Sequence, residues 1–201
     1  MGSESTAFLQ EGQVVRGIGQ EYGPRLPEAQ VLRSRRSQNR FVKTPLYCYF
    51  FTMEMRWSRF DDLTNQELYE ILALRQRVFI VEQNCAYLDA DGLDFQAWHL
   101  CCRGEDGKLL AYLRILPEKT RFQEPSIGRV ITAPEARGKA LGKAIMIEAC
   151  KMIAREFGGG SIRISAQAYL ERFYTGLGFV RVGESYLEDG IPHFEMLYGK
   201  H

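Results

Sequence analysis

The stretch that decides the fold reads Ser126-Ile-Gly-Arg-Val-Ile-Thr-Ala-Pro-Glu-Ala-Arg-Gly-Lys-Ala-Leu-Gly-Lys143, and an amphipathic run continues it to Phe157. The β-branched residues between Ser126 and Thr132 predict a strand, and Pro134 ends it because proline has no amide to donate to a ladder. From Gly138 onward apolar residues recur at spacings of three and four, which predicts a helix. The predicted apolar face consists of Gly142, Met146, Cys150, Ile153 and Phe157.

A strand, a glycine-containing turn and a helix N-terminus together predict an anion-binding site. The first amides of a helix have no intrahelical partner, and the helix dipole favours negative charge there. Gly138 and Gly142 let a ligand approach the backbone, while Arg137, Lys139 and Lys143 add positive charge. The stretch has neither the ending of a Walker A loop nor the spacing of a dinucleotide fingerprint. An ordinary strand–turn–helix unit is the competing interpretation.

Length and charge narrow the class of protein. The 201 residues suffice for one domain and an appendage, and the formal net charge is +1. Residues 1–52 carry seven basic and four acidic side chains, whereas the rest carries nineteen basic and twenty-one acidic ones. A near-neutral core argues against general nucleic-acid binding. No apolar run reaches the about 18–20 residues that a membrane span needs, so we expect no membrane partner.

The cysteine and histidine content indicates neither a disulfide framework nor a metal site. The five cysteines are odd in number and include an adjacent pair, and the three histidines show no ligand spacing with them. We expect buried free thiols in a reducing compartment. The chain also starts without a secretory segment, so we expect a cytoplasmic protein that uses no metal.

Periodicity along the chain predicts the element order β-α-β-β-β-α-β-α-β-β, without internal repeats. Residues 1–52 lack sustained periodicity, and we predict a poorly ordered extension followed by a folded domain at 53–201. Three alternatives stay open for the extension: a targeting segment, a tail that docks on a partner, and upstream sequence before a start at Met53 or Met55.

The first predicted helix begins with a capping box, Thr64 with Glu67, and continues to about Glu82. Arg75 falls near its apolar face, so it either pairs with a carboxylate or extends its charge to solvent. The following loop gathers acidic residues and has two interpretations. It is either a solvated loop or a carboxylate-rich surface that attracts a cationic amine, through Asp89, Asp91 and Asp94.

Two separate motifs resemble those of the Gcn5-related N-acetyltransferases, the GNAT family. Arg137 to Gly142 resembles the family's pyrophosphate pattern Arg/Gln-x-x-Gly-x-Gly/Ala, with Ala140 in place of the middle glycine. Tyr174 to Phe179 resembles the Tyr-x-x-x-Gly-Phe signature that follows the fifth strand. Within the family the chain resembles the ElaA-like branch over about residues 57–199, in the stretches 74–85, 111–116, 127–131, 167–168 and 188–193.

The resemblance implies an α/β fold with a mixed, mostly antiparallel twisted sheet of six to seven strands flanked by helices. It implies direct transfer of an acetyl group from acetyl-CoA, the cosubstrate, to a primary amine on a small molecule or peptide. Whether the protein is a homodimer stays open. Cofactor contacts are implied for Val130, Ile131, Thr132, Arg137, Gly138, Lys139, Ala140, Leu141, Gly142, Lys143 and Gln167.

The chemistry needs an acid for the leaving thiolate and a base for the amine. The resemblance assigns the acid role to Tyr174. The base stays open among Glu82, Asp91, Asp94 and His99, and His99 also fits a purely structural place in the sheet.

Two other functions compete. Arg75-x-x-Val-Phe, the acidic loop and Arg114-Ile-Leu-Pro117 also resemble acyl-homoserine lactone synthases. Ala140 in the predicted cradle keeps open a coenzyme A-binding regulatory module without turnover.

Overall fold

The computed structural model describes residues 53–199, so the extension predicted for residues 1–52 lies outside the described part of the chain. The strands are β1 Glu54–Arg59, β2 Trp98–Arg103, β3 Leu109–Leu116, β4 Ser126–Thr132, β5 Ile162–Gln167, β6 Val180–Glu188 and β7 Ile191–Tyr198. The helices are α1 Asn65–Arg75, α2 Leu141–Glu156 and α3 Glu171–Thr175. The seven strands form one sheet in the order β1-β2-β3-β4-β5-β7-β6. All neighbours are antiparallel except β4 and β5, which confirms the predicted element order and the mixed sheet.

Helix α1 begins where the capping box predicts. The Glu67 amide donates to Oγ1 of Thr64 at 3.2 Å, and the Thr64 amide donates to Oε2 of Glu67 at 2.9 Å. Each side chain thereby satisfies a backbone donor that the first helical turn cannot pair. A π-helical segment, Gln76–Glu82, continues the helix to the predicted end.

Helix α2 buries a face that overlaps the predicted one only in part, at Met146 and Ile153. Cys150 and Phe157 are only half-buried, and Gly142 lies at the helix start. The buried side chains are Leu141, Ala144, Ile145, Met146, Ala149, Met152 and Ile153. The predicted stripe was therefore wrong by a small rotation, because it followed Gly142 and Cys150 along one edge of this face.

Strand β4 holds the irregularities that open the sheet. Between Tyr112 and Arg114 of β3 its register shifts by one extra residue, so β4 contains a bulge. Arg129 lies in the bulge with φ 53°, a left-handed conformation that a non-glycine residue rarely adopts. On its other side β4 pairs with β5 at a single position, Ser126 with Arg163. Beyond that pair a cleft opens between the two strands.

Strand β3 lies in the core of the sheet. Strand β3 is buried along both faces, since its successive residues from Ala111 to Leu116 are all buried. The four cysteines in the described part, Cys85, Cys101, Cys102 and Cys150, are free thiols. Between residues 53 and 199, no helix is long and apolar enough to cross a membrane, and no group of three or more His, Cys, Asp or Glu is placed to hold a metal.

Candidate active site

The cleft between β4 and β5 collects several of the residues that the sequence singles out. Val130 from the bulge, Gln167 from the end of β5 and Tyr174 from α3 all line it. The π-helical segment closes one side through Phe79 and Gln83. Gln167 is fixed there because its Nε2 donates to Oε1 of Gln83 at 3.0 Å. The strand junction therefore brings together parts of the chain far apart in sequence.

Only part of the predicted thioester-binding strand faces this cleft. Val130 lies in the bulge, where an extra residue interrupts pairing with β3. Ile131 and Thr132 instead pair with Tyr112 and Ala111 of β3, and neither lines the cleft. The bulge thus makes Val130 the backbone position most available to a ligand.

The predicted pyrophosphate cradle forms the N-terminus of α2, beside the end of β4. Arg137, Gly138 and Lys139 are exposed there, and no side chain caps the helix. The first described intrahelical bond runs from the Ala144 amide to the Ala140 carbonyl at 3.1 Å, which leaves the earlier amides for a ligand. Ala140 has φ 58°, so it holds the left-handed conformation that a glycine would adopt more easily. The substitution of the family's middle glycine therefore preserves the turn.

Glu82 lies at this cradle rather than at the cleft. Its Oε2 accepts from Nη2 of Arg137 at 2.8 Å, and both side chains remain substantially exposed. The Arg137 hydrogen bond lowers the pKa of Glu82. A carboxylate with a lowered pKa, paired to a candidate phosphate ligand, is poorly suited to take a proton from an amine in the cleft.

The acidic loop after α1 is largely exposed, but its three aspartate carboxylates are bound by arginines. Arg75 is fully buried, and its Nε and Nη1 bind Asp89 and Asp94 at 2.7 and 2.8 Å. Arg114 is buried beside it and binds both Asp91 and Asp94. Of the two alternatives that the sequence left open for Arg75, the structure has the pair with a carboxylate and supplies two such partners.

A third arginine joins this cluster to the cleft. Arg129 binds Oδ1 of Asp89 at 2.7 Å and Oδ2 of Asp91 at 3.3 Å, while its backbone forms the bulge. The charge cluster therefore consists of Arg75, Arg114, Arg129, Asp89, Asp91 and Asp94. Its three positive and three negative charges balance, so the loop offers no net attraction to an amine.

The pKa of these carboxyl groups reflects the arginines. Burial raises the pKa of Asp91, but the Arg114 hydrogen bond and charge outweigh it and lower the value to about 2. For Asp94 burial again acts upward, and the charges of Arg75 and Arg114 bring the pKa below its usual value. Both groups stay ionised and engaged, which removes them as bases for the amine.

His99 occupies a buried position on β2, outside the cleft lining. Its Nε2 lies 3.0 Å from the Asp94 carbonyl oxygen, which can only accept, so Nε2 carries the proton. Nδ1 then accepts from the Tyr112 hydroxyl at 2.8 Å. Burial lowers the pKa of His99 and keeps it neutral. With both ring nitrogens engaged, His99 has the structural place that the sequence left open.

Tyr174 has the properties that an acid in the cleft requires. Its ring packs edge-on against Phe173 and Phe179, at centroid distances of 5.0 and 6.0 Å. Burial, followed by the nearby Tyr169, raises the pKa of Tyr174, so the hydroxyl retains its proton near neutral pH. None of the hydrogen bonds among residues 53–199 uses this hydroxyl, which lines the cleft.

Several polar residues that line or adjoin the cleft lie outside the sequence motifs. The Tyr186 hydroxyl lies 2.6 Å from Oγ of Ser165, which donates to Oε2 of Glu188 at 2.8 Å. Oε1 of Glu188 accepts from Arg121 at 2.7 Å. Burial raises the pKa of Glu188, but Ser165, Arg121 and the charge of His193 lower it below its usual value. We name Arg121, Ser165, Tyr186, Glu188 and His193 the acceptor-end group.

His193 is the one histidine of the described chain that lines the cleft. It lies on β7 opposite Gln167 of β5, and its ring stacks on Tyr186 at a centroid distance of 6.2 Å. In the sequence, His193 could have been singled out from the stretch Glu188 to His193, which carries the ElaA-like resemblance but no catalytic motif.

This geometry agrees with comparisons to known proteins. A family model described as "Acetyltransferase (GNAT) domain" matches residues 91–199, more than half of the chain. The chain belongs to the GNAT family. This GNAT protein is 47% identical over 148 residues to a UPF0039 protein of Synechocystis, which covers 73% of this chain and 96% of the relative. It is 38% identical to Protein ElaA of Escherichia coli, over 68% of this chain and 90% of that protein.

Solved structures place the GNAT protein in the same branch. An acyl-CoA N-acyltransferase from Pseudomonas aeruginosa superposes with a TM-score of 0.70 at 41% identity, covering 74% of this chain and all of the other, 100%. Escherichia coli ElaA superposes with a TM-score of 0.68 at 36% identity, covering 73% and 99%. The ElaA-like resemblance and the GNAT fold are both confirmed.

Proposed function

We propose that this GNAT protein transfers an acetyl group from acetyl-CoA directly to a primary amine, in a ternary complex without a covalent enzyme intermediate. The observation that carries the proposal is the cleft between β4 and β5, which ends at the buried, protonated Tyr174 and lies beside the uncapped N-terminus of α2. The family membership and the acyl-CoA N-acyltransferase named among the solved relatives support the same reaction class.

Each part of the cofactor has a counterpart in the chain. The pyrophosphate would bind the free amides at the start of α2, with positive charge from Arg137, Lys139 and Lys143. The pantetheine arm would follow β4, where the bulge leaves Val130 outside regular pairing, and Gln167 would face it from β5. This arrangement would bring the thioester into the cleft that Tyr174 lines.

The two ends of the cleft would have distinct roles. Tyr174 would donate a proton to the departing thiolate, for which its raised pKa keeps the proton in place. The acceptor amine would enter from the end that contains Glu188, whose ionised carboxylate suits a cationic group. Small-molecule and peptide amines both fit this chemistry.

The function is tested by measuring release of the coenzyme A thiol from acetyl-CoA across a panel of small amines, aminoglycosides and peptides. Amine-dependent release with a stoichiometric N-acetyl product is expected. Binding of acetyl-CoA by calorimetry, without thiol release for any amine, would refute the enzyme and favour a regulatory module. Preferential use of long-chain acyl donors would instead favour an acyl-homoserine lactone synthase.

Tyr174→Phe tests the assigned acid. The ring and its contacts with Phe173 and Phe179 remain, so acetyl-CoA affinity and thermal stability should change little. General acid catalysis is worth about 10²–10⁴-fold, and we expect the low end because a thiolate leaves readily. Undiminished kcat, with chemistry shown to be rate-limiting, would end the acid assignment. A joint loss of stability and affinity with normal kcat would make Tyr174 a packing residue.

A further inference from the structure

The three carboxylates and the histidine that the sequence offers as the base all bind other groups of the protein. Asp91 and Asp94 bind buried arginines, Glu82 binds Arg137, and His99 has both ring nitrogens engaged. The amine must nevertheless lose a proton before it attacks, since an ammonium ion has no lone pair. A further group in the cleft is therefore required, and it must reach the acceptor end.

His193 has the geometry of such a group. Its Nδ1 lies 2.8 Å from the Ile191 carbonyl oxygen, an atom that can only accept, so Nδ1 carries the ring proton in the neutral form. That leaves Nε2 with a lone pair. Between residues 53 and 199, no hydrogen bond involves Nε2 of His193. Nε2 is also not one of the fully buried polar atoms of that region that lack a partner, so part of it is accessible to solvent. The lone pair is therefore open to the cleft that His193 lines.

The surroundings of His193 favour a proton on that nitrogen. Glu188 lines the same cleft as His193 and is ionised, with Arg121 as its direct partner, so its negative charge favours an imidazolium at His193. Tyr186 stacks on the ring and donates toward Ser165, and Ser165 donates to Glu188, which fixes the carboxylate. The other titratable or charged groups at the cleft wall are Cys85, Tyr87, Arg114, Arg121, Arg129, Tyr174 and Asp189.

We propose that His193 is the general base of the reaction and that Glu188, linked to its ring through Ser165 and the stacked Tyr186, favours its protonated form. The inference rests on the proposed acetyltransferase function. One proton of the substrate ammonium passes to Nε2 of His193 and later to water. The amine nitrogen then bonds to the thioester carbon, the carbon–sulfur bond breaks, and its electron pair leaves with sulfur. Tyr174 gives its proton to the thiolate, and the second proton lost by nitrogen passes through water to the resulting tyrosinate, which restores Tyr174.

His193→Asn is the matched variant, because the amide nitrogen of asparagine can still donate to the Ile191 carbonyl while the Nε2 acceptor is lost. We expect kcat/KM for the amine to fall by about 10²–10⁴-fold near neutral pH. The dissociation constant of acetyl-CoA should stay unchanged. The acid limb of the pH profile should move to higher pH than in the wild type, toward the amine's own pKa, about 10 for a lysine-like amine.

Glu188→Gln separates catalysis from packing. Removing the negative charge destabilises the imidazolium, so the acid limb should move to lower pH, the opposite direction from His193→Asn. A group that only packs the cleft would not shift this limb. An acid limb that stays at its wild-type position in His193→Asn would overturn the assignment of the base.

A measurement without turnover keeps this inference distinguishable from the proposed function. Long-range ¹⁵N–¹H spectra of the full-length protein, with His193 assigned through the asparagine variant, report the tautomer directly. A neutral His193 protonated at Nδ1, whose pKa falls in Glu188→Gln, supports the inference. A proton on Nε2 would overturn it even in an active enzyme. If the wild type transfers acetyl to no amine, the function is refuted and the catalytic role falls with it.

Discussion

The buried charge cluster predicts a large difference between two arginines that lie two residues apart. Arg75 is fully buried and donates to Asp89 and Asp94 through three hydrogen bonds of 2.7 to 2.8 Å. Arg77 pairs with Glu135 on the surface, with side chains 53% and 52% exposed. Replacing each arginine by methionine keeps a long apolar stem and removes the charge. The two variants therefore compare the same chemical change in opposite environments.

The magnitude follows from what each substitution leaves behind. Arg75→Met leaves three aspartates with two arginines, and removing one partner of a buried pair costs about 3–5 kcal/mol. Asp89 keeps Arg129 and Tyr87, and Asp94 keeps Arg114, so we expect the low end, about 3 kcal/mol. Arg77→Met should cost about 0–1 kcal/mol, because an exposed pair contributes little.

Urea unfolding of the full chain, followed by circular dichroism, measures both values. With a slope of about 2 kcal/mol per molar, Arg75→Met should lower the midpoint by about 1.5 M. Adding Asp94→Asn to Arg75→Met restores the charge balance and should recover part of the loss. Equal losses in Arg75→Met and Arg77→Met would refute the reasoning, since burial would then have no effect on the cost.

Two other predictions follow from the cradle and from the cluster. Gly142→Glu should weaken acetyl-CoA binding in calorimetry far more than its neutral counterpart Gly142→Gln, because only the first brings negative charge to the pyrophosphate amides; equal affinities in the two variants would remove the charge argument. Asp91 has its pKa lowered from 3.8 to about 2, so its contribution is present above pH 4 and is lost as the pH falls through 2. Asp91→Asn should accordingly lose less stability between pH 5 and 2 than the wild type, as measured by urea midpoints; parallel losses would contradict it.

The local parts of the fold could be predicted because their signals lie within a few residues. Thr64 and Glu67 specify the start of α1 by a spacing of three, and the β-branched run with Pro134 specifies β4 and its end. The rotation of α2 was harder, since Gly142 and Cys150 lie at the edge of the buried face and share its spacing. A pattern of apolar letters does not locate the centre of such a face.

The candidate site was less predictable because its contacts are not local. The carboxylates of the acidic loop have partners at Arg75, Arg114 and Arg129, between 14 and 40 residues away, and nothing near the loop identifies them. The same holds for His193, whose base character depends on a carbonyl that fixes the tautomer and on a strand arrangement that opens Nε2. The proposed acid, Tyr174, and the predicted cradle lie in sequence motifs, whereas the residues of the proposed acceptor end do not.

Because β4 and β5 pair only through Ser126 and Arg163, the sheet has a gap between these two strands. Strands β1 to β4 and strands β5 to β7 meet only at this pair. Beyond it, the backbone amide groups of β4 and β5 that face each other have no neighbouring strand to bind. A pantetheine arm carries amides of its own, and laid along β4 it would act as an eighth, non-peptide strand. Bound cofactor should then protect the facing backbone amides from hydrogen exchange and raise the melting temperature with its concentration. Under the proposed function, acetyl-CoA would thus complete the sheet as well as supply the acyl group.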